Sequence, residues 1–220
     1  MRYESNDAFV QAFYEYAVSN GVSKECLLKR ENIDRYAFVS KDAFVDYPVH
    51  LYAFQGAVNL PLCARMMEID YRSRRASLAG IADSDEYRSV LMIEPPGTKK
   101  PGMFNYIKHA GLKDLPVFFS ASTYRMDDFE KFALKKRAAY LDSRTIYFYV
   151  FATQRKYQGH GHGKQIMKVL TGFADAGGYR ICLETNKRDN VGMYEHFGYR
   201  LMDESVYQGV VEHFVLLYHA

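Results

Sequence analysis

The spacing of apolar and polar residues along this chain predicts where its helices and strands fall. Thr145-Ile-Tyr-Phe-Tyr-Val-Phe-Ala152 is an unbroken apolar and aromatic run dense in β-formers, and it reads as a buried strand. Beyond a polar, glycine-rich turn, Ile166, Met167, Leu170, Phe173 and Ala174 recur at helical spacing, which predicts a helix stopping at Gly177-Gly178. Arg180-Ile-Cys-Leu-Glu-Thr185 reads as a second strand, and Asn190 to Tyr199 as a short helix ending at Gly198. Toward the N-terminus, Phe9, Val10, Phe13 and Ala17 form one helical face, with Asp7 as the expected cap and Asn20-Gly21 as the end. Arg35 to Val39 fits either a first strand or the start of a helix, and Ala43 to Pro48 carries no clear pattern. A helix is predicted from about Pro61 through Leu62, Met66 and Ile69 to Arg74. Ser77 to Ala82 and Tyr87 to Ile93 flank the polar turn Asp83-Ser-Asp-Glu86 as a β-hairpin, closed off by Pro95-Pro96-Gly97. A helix around Met103–Leu112, a loop at Pro116 and a helix holding Phe129, Phe132 and Ala133 complete the pattern.

The turn between the first strand and its helix concentrates the chemistry. It reads Arg155-Lys156-Tyr157-Gln158-Gly159-His160-Gly161-His162-Gly163-Lys164. Strand, glycine-rich turn and helix aim several backbone N–H groups at an anion, and the helix start adds its positive dipole end. Glycine at 159, 161 and 163 lets the main chain approach a phosphate closely and adopt φ > 0. Arg155, Lys156 and Lys164 bring positive charge to the same place, so the stretch is expected to cradle a phosphate. A P-loop is excluded because Gln165 follows Lys164, and a Rossmann turn because the glycine pattern is one residue short.

Read from Gln158, the turn is Gln-x-x-Gly-x-Gly. It resembles the pyrophosphate-binding turn of the GNAT superfamily of N-acetyltransferases. The strand that follows, and then Tyr194-Glu195-His196-Phe197-Gly198-Tyr199, match that family's order and spacing over roughly the last third of the chain. Ala43-Phe44 with Asp46 and Pro48, the run Leu91 to Gly97 and Leu183-Glu184-Thr185 also resemble the puromycin N-acetyltransferase-like branch. The resemblance implies an α+β (α/β/α) fold: a central mixed, mostly antiparallel sheet of about six or seven strands with helices on both faces. It implies a single domain over residues 1–220, with an N-terminal helical extension (1–30), a variable insert (98–140) and an acetyl-CoA-binding core (141–220).

The resemblance also implies chemistry. Acetyl-CoA is the expected co-substrate, with its pantetheine arm along the backbone of Phe151, Ala152 and Thr153. Its pyrophosphate is expected within the turn of Gln158, Gly159, His160, Gly161, His162, Gly163 and Lys164. Where the family often has Val-x-Pro, this chain has Thr153-Gln154-Arg155. Tyr194 is the expected proton donor to the CoA thiolate, its alternative role being an aromatic packed between helix and sheet. Asn190 is expected either to hydrogen-bond pantetheine or to cap a helix, and Asn186 stands where it could share the first task. For the general base, Glu184 and Glu94 are the candidates, each with an alternative as a salt-bridged or solvated carboxylate. His160 and His162, two residues apart with no third ligand nearby, do not make a metal site, and no metal is expected.

Composition narrows the partners. A chain of 220 residues fits one domain with a full core, and no repeat, linker or low-complexity tract divides it. The net charge of +3 is too small to argue for nucleic acid. Cys26, Cys63 and Cys182 are scattered without metal spacing; with no signal peptide and no long apolar span, they predict reduced thiols, a cytoplasmic protein and no membrane partner. The acceptor is expected to be the primary amine of a small molecule. A protein or peptide acceptor, or a non-catalytic CoA-binding module on the same fold, are the alternatives. A homodimer is an arrangement the family often uses.

Overall fold

The computed structural model of the protein describes residues 5–111 and 114–219. Helix α1 (Asn6–Ser19) is followed by α2 (Ile33–Ala43), α3 (Pro48–Ala53) and α4 (Leu60–Arg74). Strands β1 (Ala79–Ala82) and β2 (Ser89–Glu94) form a hairpin, and α5 (Met103–His109), α6 (Leu115–Phe118) and α7 (Ala121–Arg137) come next. The last third runs β3 (Thr145–Thr153), α8 (His162–Gly177), β4 (Arg180–Thr185), α9 (Arg188–His196), β5 (Tyr199–Tyr207) and β6 (Val211–Tyr218). The six strands form one sheet in the order β1-β2-β3-β4-β6-β5, antiparallel except for the β3–β4 pair. This is the α+β architecture that the resemblance implied.

Several local expectations are corrected. The cap of α1 is Ser5, whose hydroxyl accepts from the Ala8 N–H at 3.2 Å; Asp7 lies inside the first turn, where its charge suits the dipole. The stretch 35–39 is helical, because Ile33, Tyr36, Ala37, Ser40 and Ala43 bury one face at a spacing of three and four. The unpatterned segment at 43–48 leads into α3, with Pro48 in its first turn. Pro116 likewise sits in the first turn of the short helix α6 rather than in a loop. Helix α5 ends at His109, and Leu112 lies outside the described residues. Strand β2 starts at Ser89, since Tyr87 takes φ 51° within the turn.

Helix α8 follows its pattern closely. Ile166, Met167, Val169, Leu170, Phe173 and Ala174 are buried, and Gly178 closes it at φ 64° in the left-handed region. Helix α1 lies on α8, its Phe9, Phe13 and Tyr16 rings edge-on to Phe173 at 5.3–5.6 Å. Helices α2, α4 and α7 cover the opposite face of the sheet.

The sheet opens at its centre. β3 and β4 pair only from Thr145↔Arg180 to Phe148↔Leu183. At Tyr149, β3 carries one extra residue against β2, since Phe148 pairs with Ile93 and Val150 with Met92. The bulge resets the alternation of side chains. Phe148 and Phe151, three residues apart, therefore meet on the α8 face with ring centroids 5.8 Å apart. Tyr147 and Tyr149 share the other face. From Tyr149 to Thr153, β3 has no partner on its β4 side.

Candidate active site

The turn after β3 presents unpaired donors. Gly159 and Gly161 take φ 78° and 80°, a region that side chains with a Cβ rarely enter, and a Cβ at either would meet nothing within 4 Å. Gly161 is also the N-cap of α8. The backbone N–H groups of Gly159, Gly161, His162 and Gly163 find no acceptor among the described residues. Gln158 turns its amide back to donate to the Thr153 carbonyl at 3.1 Å, tying the turn to the strand end. Lys164 is exposed and has no ion pair among the described residues. Arg155 is engaged, its N–H donating to Asp42 at 2.7 Å and its guanidinium 3.7 Å from Asp46. Lys156 lies over the Tyr157 ring.

Two expectations for this turn change. Gly163 is helical, and what it lacks room for is packing: a Cβ there would stand 2.4 Å from Phe151 Cζ. The two histidines diverge. His160 Nδ1 lies 2.9 Å from the Gln158 carbonyl, and His162 Nδ1 lies 3.4 Å from Asp83.

The gap between β3 and β4 forms a cavity of about 170 Å³. Phe151, Glu184, Asn190 and Tyr194, which the sequence pattern places far apart, all line it. Ala152 and Thr153 continue β3 away from it toward the turn. Tyr194 is 6% exposed, its ring 6.3 Å from Phe148 and 5.7 Å from Tyr199, and its hydroxyl has no hydrogen-bond partner among the described residues. Burial, then the neighbouring Tyr47 phenol, push its acidity constant well above the usual phenol value, so it holds its proton. Asn190 caps nothing: its amide donates to the Thr185 hydroxyl at 3.0 Å. Asn186 donates to the Glu212 carbonyl at 2.7 Å. Glu94 is not among the residues lining the cavity. It is buried against Arg74 at 2.5 Å, and burial, outweighing that ion pair, raises its acidity constant.

Glu184 forms the floor of the cavity within a polar cluster. Its Oε2 accepts from Arg137 at 2.7 Å and from the Tyr147 hydroxyl at 2.6 Å. Arg137 also reaches Glu130 at 2.6 Å and lies over the Tyr147 ring at 4.6 Å. Glu184 Oε1 is 3.0 Å from His213 Nε2, with the ring N–H pointing off the line between them. Burial alone would raise the Glu184 acidity constant, but His213, Arg137 and Tyr147 together hold the carboxyl below its usual range.

Residues 121–199 match the family described as acetyltransferase (GNAT). That stretch opens at α7 and runs through β3, the glycine turn, α8, β4 and α9 into β5. The likeness to that family is carried by this part of the chain. Among solved structures, the chain is similar to the C-terminal condensation domain of Ebony in complex with β-alanyl-dopamine, at 12% identity and TM-score 0.58. That match covers 87% of this chain and 95% of the other. It is also similar to a mutant agmatine N-acetyltransferase in its apo form, at 7% identity and TM-score 0.55, over 88% and 97% of the two chains. A Corynebacterium glutamicum protein described as histone acetyltransferase HPA2 and related acetyltransferase aligns at 15% identity and TM-score 0.53, over 87% and 94%. At these identities the likeness is one of fold. No match is found among curated protein sequences.

The polar cluster around Glu184 was the part that sequence patterns missed. Glu130, Arg137, Tyr147 and His213 belong to no local motif. His213 alone carries a signal, as the single imidazole within the buried run Phe214 to Leu217 and its approach from Val211.

Proposed function

We propose that this protein transfers the acetyl group of acetyl-CoA to the primary amine of a small molecule while both are bound. The observation that carries this reading is the convergence of the cofactor-side and acceptor-side groups on one cleft. Tyr194 and Phe151 form one wall, Glu184 the floor, and the unpaired N–H groups of Gly159, Gly161, His162 and Gly163 stand beyond the strand end. Those N–H groups, the α8 N-terminus and the free Lys164 suit a pyrophosphate. The unpaired β4 side of Tyr149 to Thr153 suits the amides of a pantetheine arm, as a strand edge does for a peptide. Asn190 keeps its side-chain oxygen free to accept a hydrogen bond, since only its amide is committed.

When bound, acetyl-CoA supplies the thioester; the chain's residues orient and manage protons. Glu184, ionised, receives the acceptor's ammonium through its uncommitted Oε1. Tyr194 gives its proton to the departing sulfur. A cavity of about 170 Å³ is well below the roughly 300–1,000 Å³ that drug-sized ligands fill, which favours a small acceptor over a folded protein's side chain. A solved relative acting on agmatine is consistent with that class.

Two measurements test the reading together. CoA should raise the melting temperature, whereas pantetheine, lacking the pyrophosphate, should do so far less. Thiol release from acetyl-CoA should then depend on an added primary amine. Equal stabilisation by both ligands would remove the phosphate site; CoA binding with no turnover across a broad amine panel would leave a binding module.

A further inference from the structure

An alkylamine arrives at neutral pH as its ammonium, and it must lose a proton before its nitrogen can attack a thioester. The cluster on the cavity floor carries an unmatched charge suited to that task. Arg137 lies between two carboxylates, Glu130 and Glu184, so one negative charge has no cation opposite it. Tyr147, half-buried and with its acidity constant pushed up, stays neutral. Glu184 Oε2 is taken by Arg137 and Tyr147, but Oε1 is buried and accepts nothing. Facing Oε1 at 3.0 Å is His213, 1% exposed, with neither ring nitrogen in a hydrogen bond. Phe129 and Phe132 hold that ring edge-on at 5.7 and 5.6 Å, and it lines the same cavity as Tyr194. Buried imidazoles are rarely left unpartnered. A ligand donor in the cavity would satisfy this one.

The geometry points to His213 as the residue that takes the acceptor's first proton, with Glu184 Oε1, 3.0 Å from the ring, matching the charge it acquires. The inference rests on the acetyl-transfer reading above. An N–H bond of the bound ammonium breaks, its electron pair remains on nitrogen as the nucleophile, and the proton bonds to an imidazole nitrogen. The charges of Arg137, Glu130, Glu184 and the imidazolium then sum to zero. Nitrogen loses a second proton as the C–S bond breaks, and that proton passes to the Tyr194 oxygen, replacing the one the phenol gives to sulfur. The protein is left with one proton on His213, which water removes after the products leave. Glu184 itself makes a poor acceptor for this proton, because its partners hold its carboxyl below the usual range.

The test uses acceptors matched in shape but not in basicity. 2-Phenylethylamine is an ammonium at pH 7, and O-benzylhydroxylamine, of nearly the same outline, is neutral; further matched pairs of small primary amines extend the panel. In His213→Gln, kcat for the basic member should fall by roughly 10²–10⁴-fold, the usual worth of a positioned base, and hardly at all for the neutral member. Because the loss is read as a ratio within one variant, partial misfolding cancels. Calorimetry on the CoA-loaded protein supplies a readout apart from turnover. Binding of 2-phenylethylamine should weaken in Glu184→Gln, which loses the charge, and persist in His213→Gln. Equal losses for both members of the pairs would make His213 structural and overturn the inference. Turnover of no amine while CoA still binds would overturn the acceptor site and this inference together, leaving the phosphate site standing. Loss of CoA binding in His213→Gln would assign the ring to the cofactor instead.

Discussion

Replacing Gly163 with alanine probes the contact that shapes the cleft. An ideal Cβ at this position would stand 2.4 Å from Phe151 Cζ, 2.8 Å from Cε2 and 3.3 Å from Ser89 Oγ. Ordinary contact begins at 3.4 Å, so the Phe151 ring must retreat by about 1 Å. Ser89 cannot yield in its place, since its hydroxyl bonds both the Ala152 carbonyl and Thr153 Oγ1. Gly163 is helical, so alanine meets no backbone strain and the cost is steric. Overpacking of this kind costs about 1–3 kcal/mol, while exchanging glycine for alanine in a helix returns up to about 1 kcal/mol. The expected net loss of about 1–2 kcal/mol lowers the melting temperature of a chain this long by about 2–8 °C. Phe151 lines the cavity, so a ring pushed aside there should also weaken CoA binding. Thermal melts with and without CoA measure both effects. Adding Phe151→Ala removes the obstruction, and the two substitutions should couple by about 1 kcal/mol or more instead of adding. The reasoning is refuted if Gly163→Ala melts with the wild type and binds CoA equally, or if the two costs simply add.

Tyr194→Phe keeps the ring and removes a hydroxyl that has no partner among the described residues, so stability and CoA affinity should hold while kcat drops by roughly 10²–10⁴-fold; unchanged turnover would make the tyrosine structural. Gly161→Val forces a β-branched residue to φ 80°, at the mouth of the phosphate turn, and should erase the thermal shift given by CoA; a normal shift would move the pyrophosphate elsewhere. Glu184 has its folded acidity constant below the unfolded value near 4.5, so its contribution to stability is complete above that value and is lost as pH falls through the folded one. Urea midpoints of the wild type should therefore fall on acidification below about pH 4.5 more steeply than those of Glu184→Gln, and parallel curves would show that the carboxylate adds nothing.

What could be read from the chain depended on how local its cause was. The glycine turn, α8 and Tyr194 follow from residues within a few positions of each other, so spacing alone located them. At 35–39 five residues are too few to separate the strand and helix periods, and the flanking Ile33 and Ala43 settle it only once the helix is seen whole. The bulge at Tyr149 had no signal. In Thr145 to Ala152 nearly every position is apolar or aromatic, so the reset of alternation is invisible, and with it the pairing of Phe151 with Gly163. The acceptor floor was hidden for a different reason. Glu130, Arg137, Tyr147, Glu184 and His213 come from α7, β3, β4 and β6, and only tertiary packing brings them together.

The short β3–β4 seam also divides the sheet by chain order. Residues 79–153 supply β1, β2 and β3, and residues 180–218 supply β4, β5 and β6, so each half is a three-stranded antiparallel unit made from its own contiguous stretch. The β1–β2 hairpin and the β4–β6 unit can form from nearby contacts, whereas β3 reaches β2 only across residues 95–144; one parallel pairing of four residues with the α8 crossover then joins the two halves. With the β1–β2 pairing, also of four residues, the seam is the shortest line of pairing in the sheet, and it lies where the proposed cofactor would wedge. On that reading, cofactor binding acts as mortar between two preformed blocks, and loss of cofactor leaves a fracture plane along which native-state opening should begin.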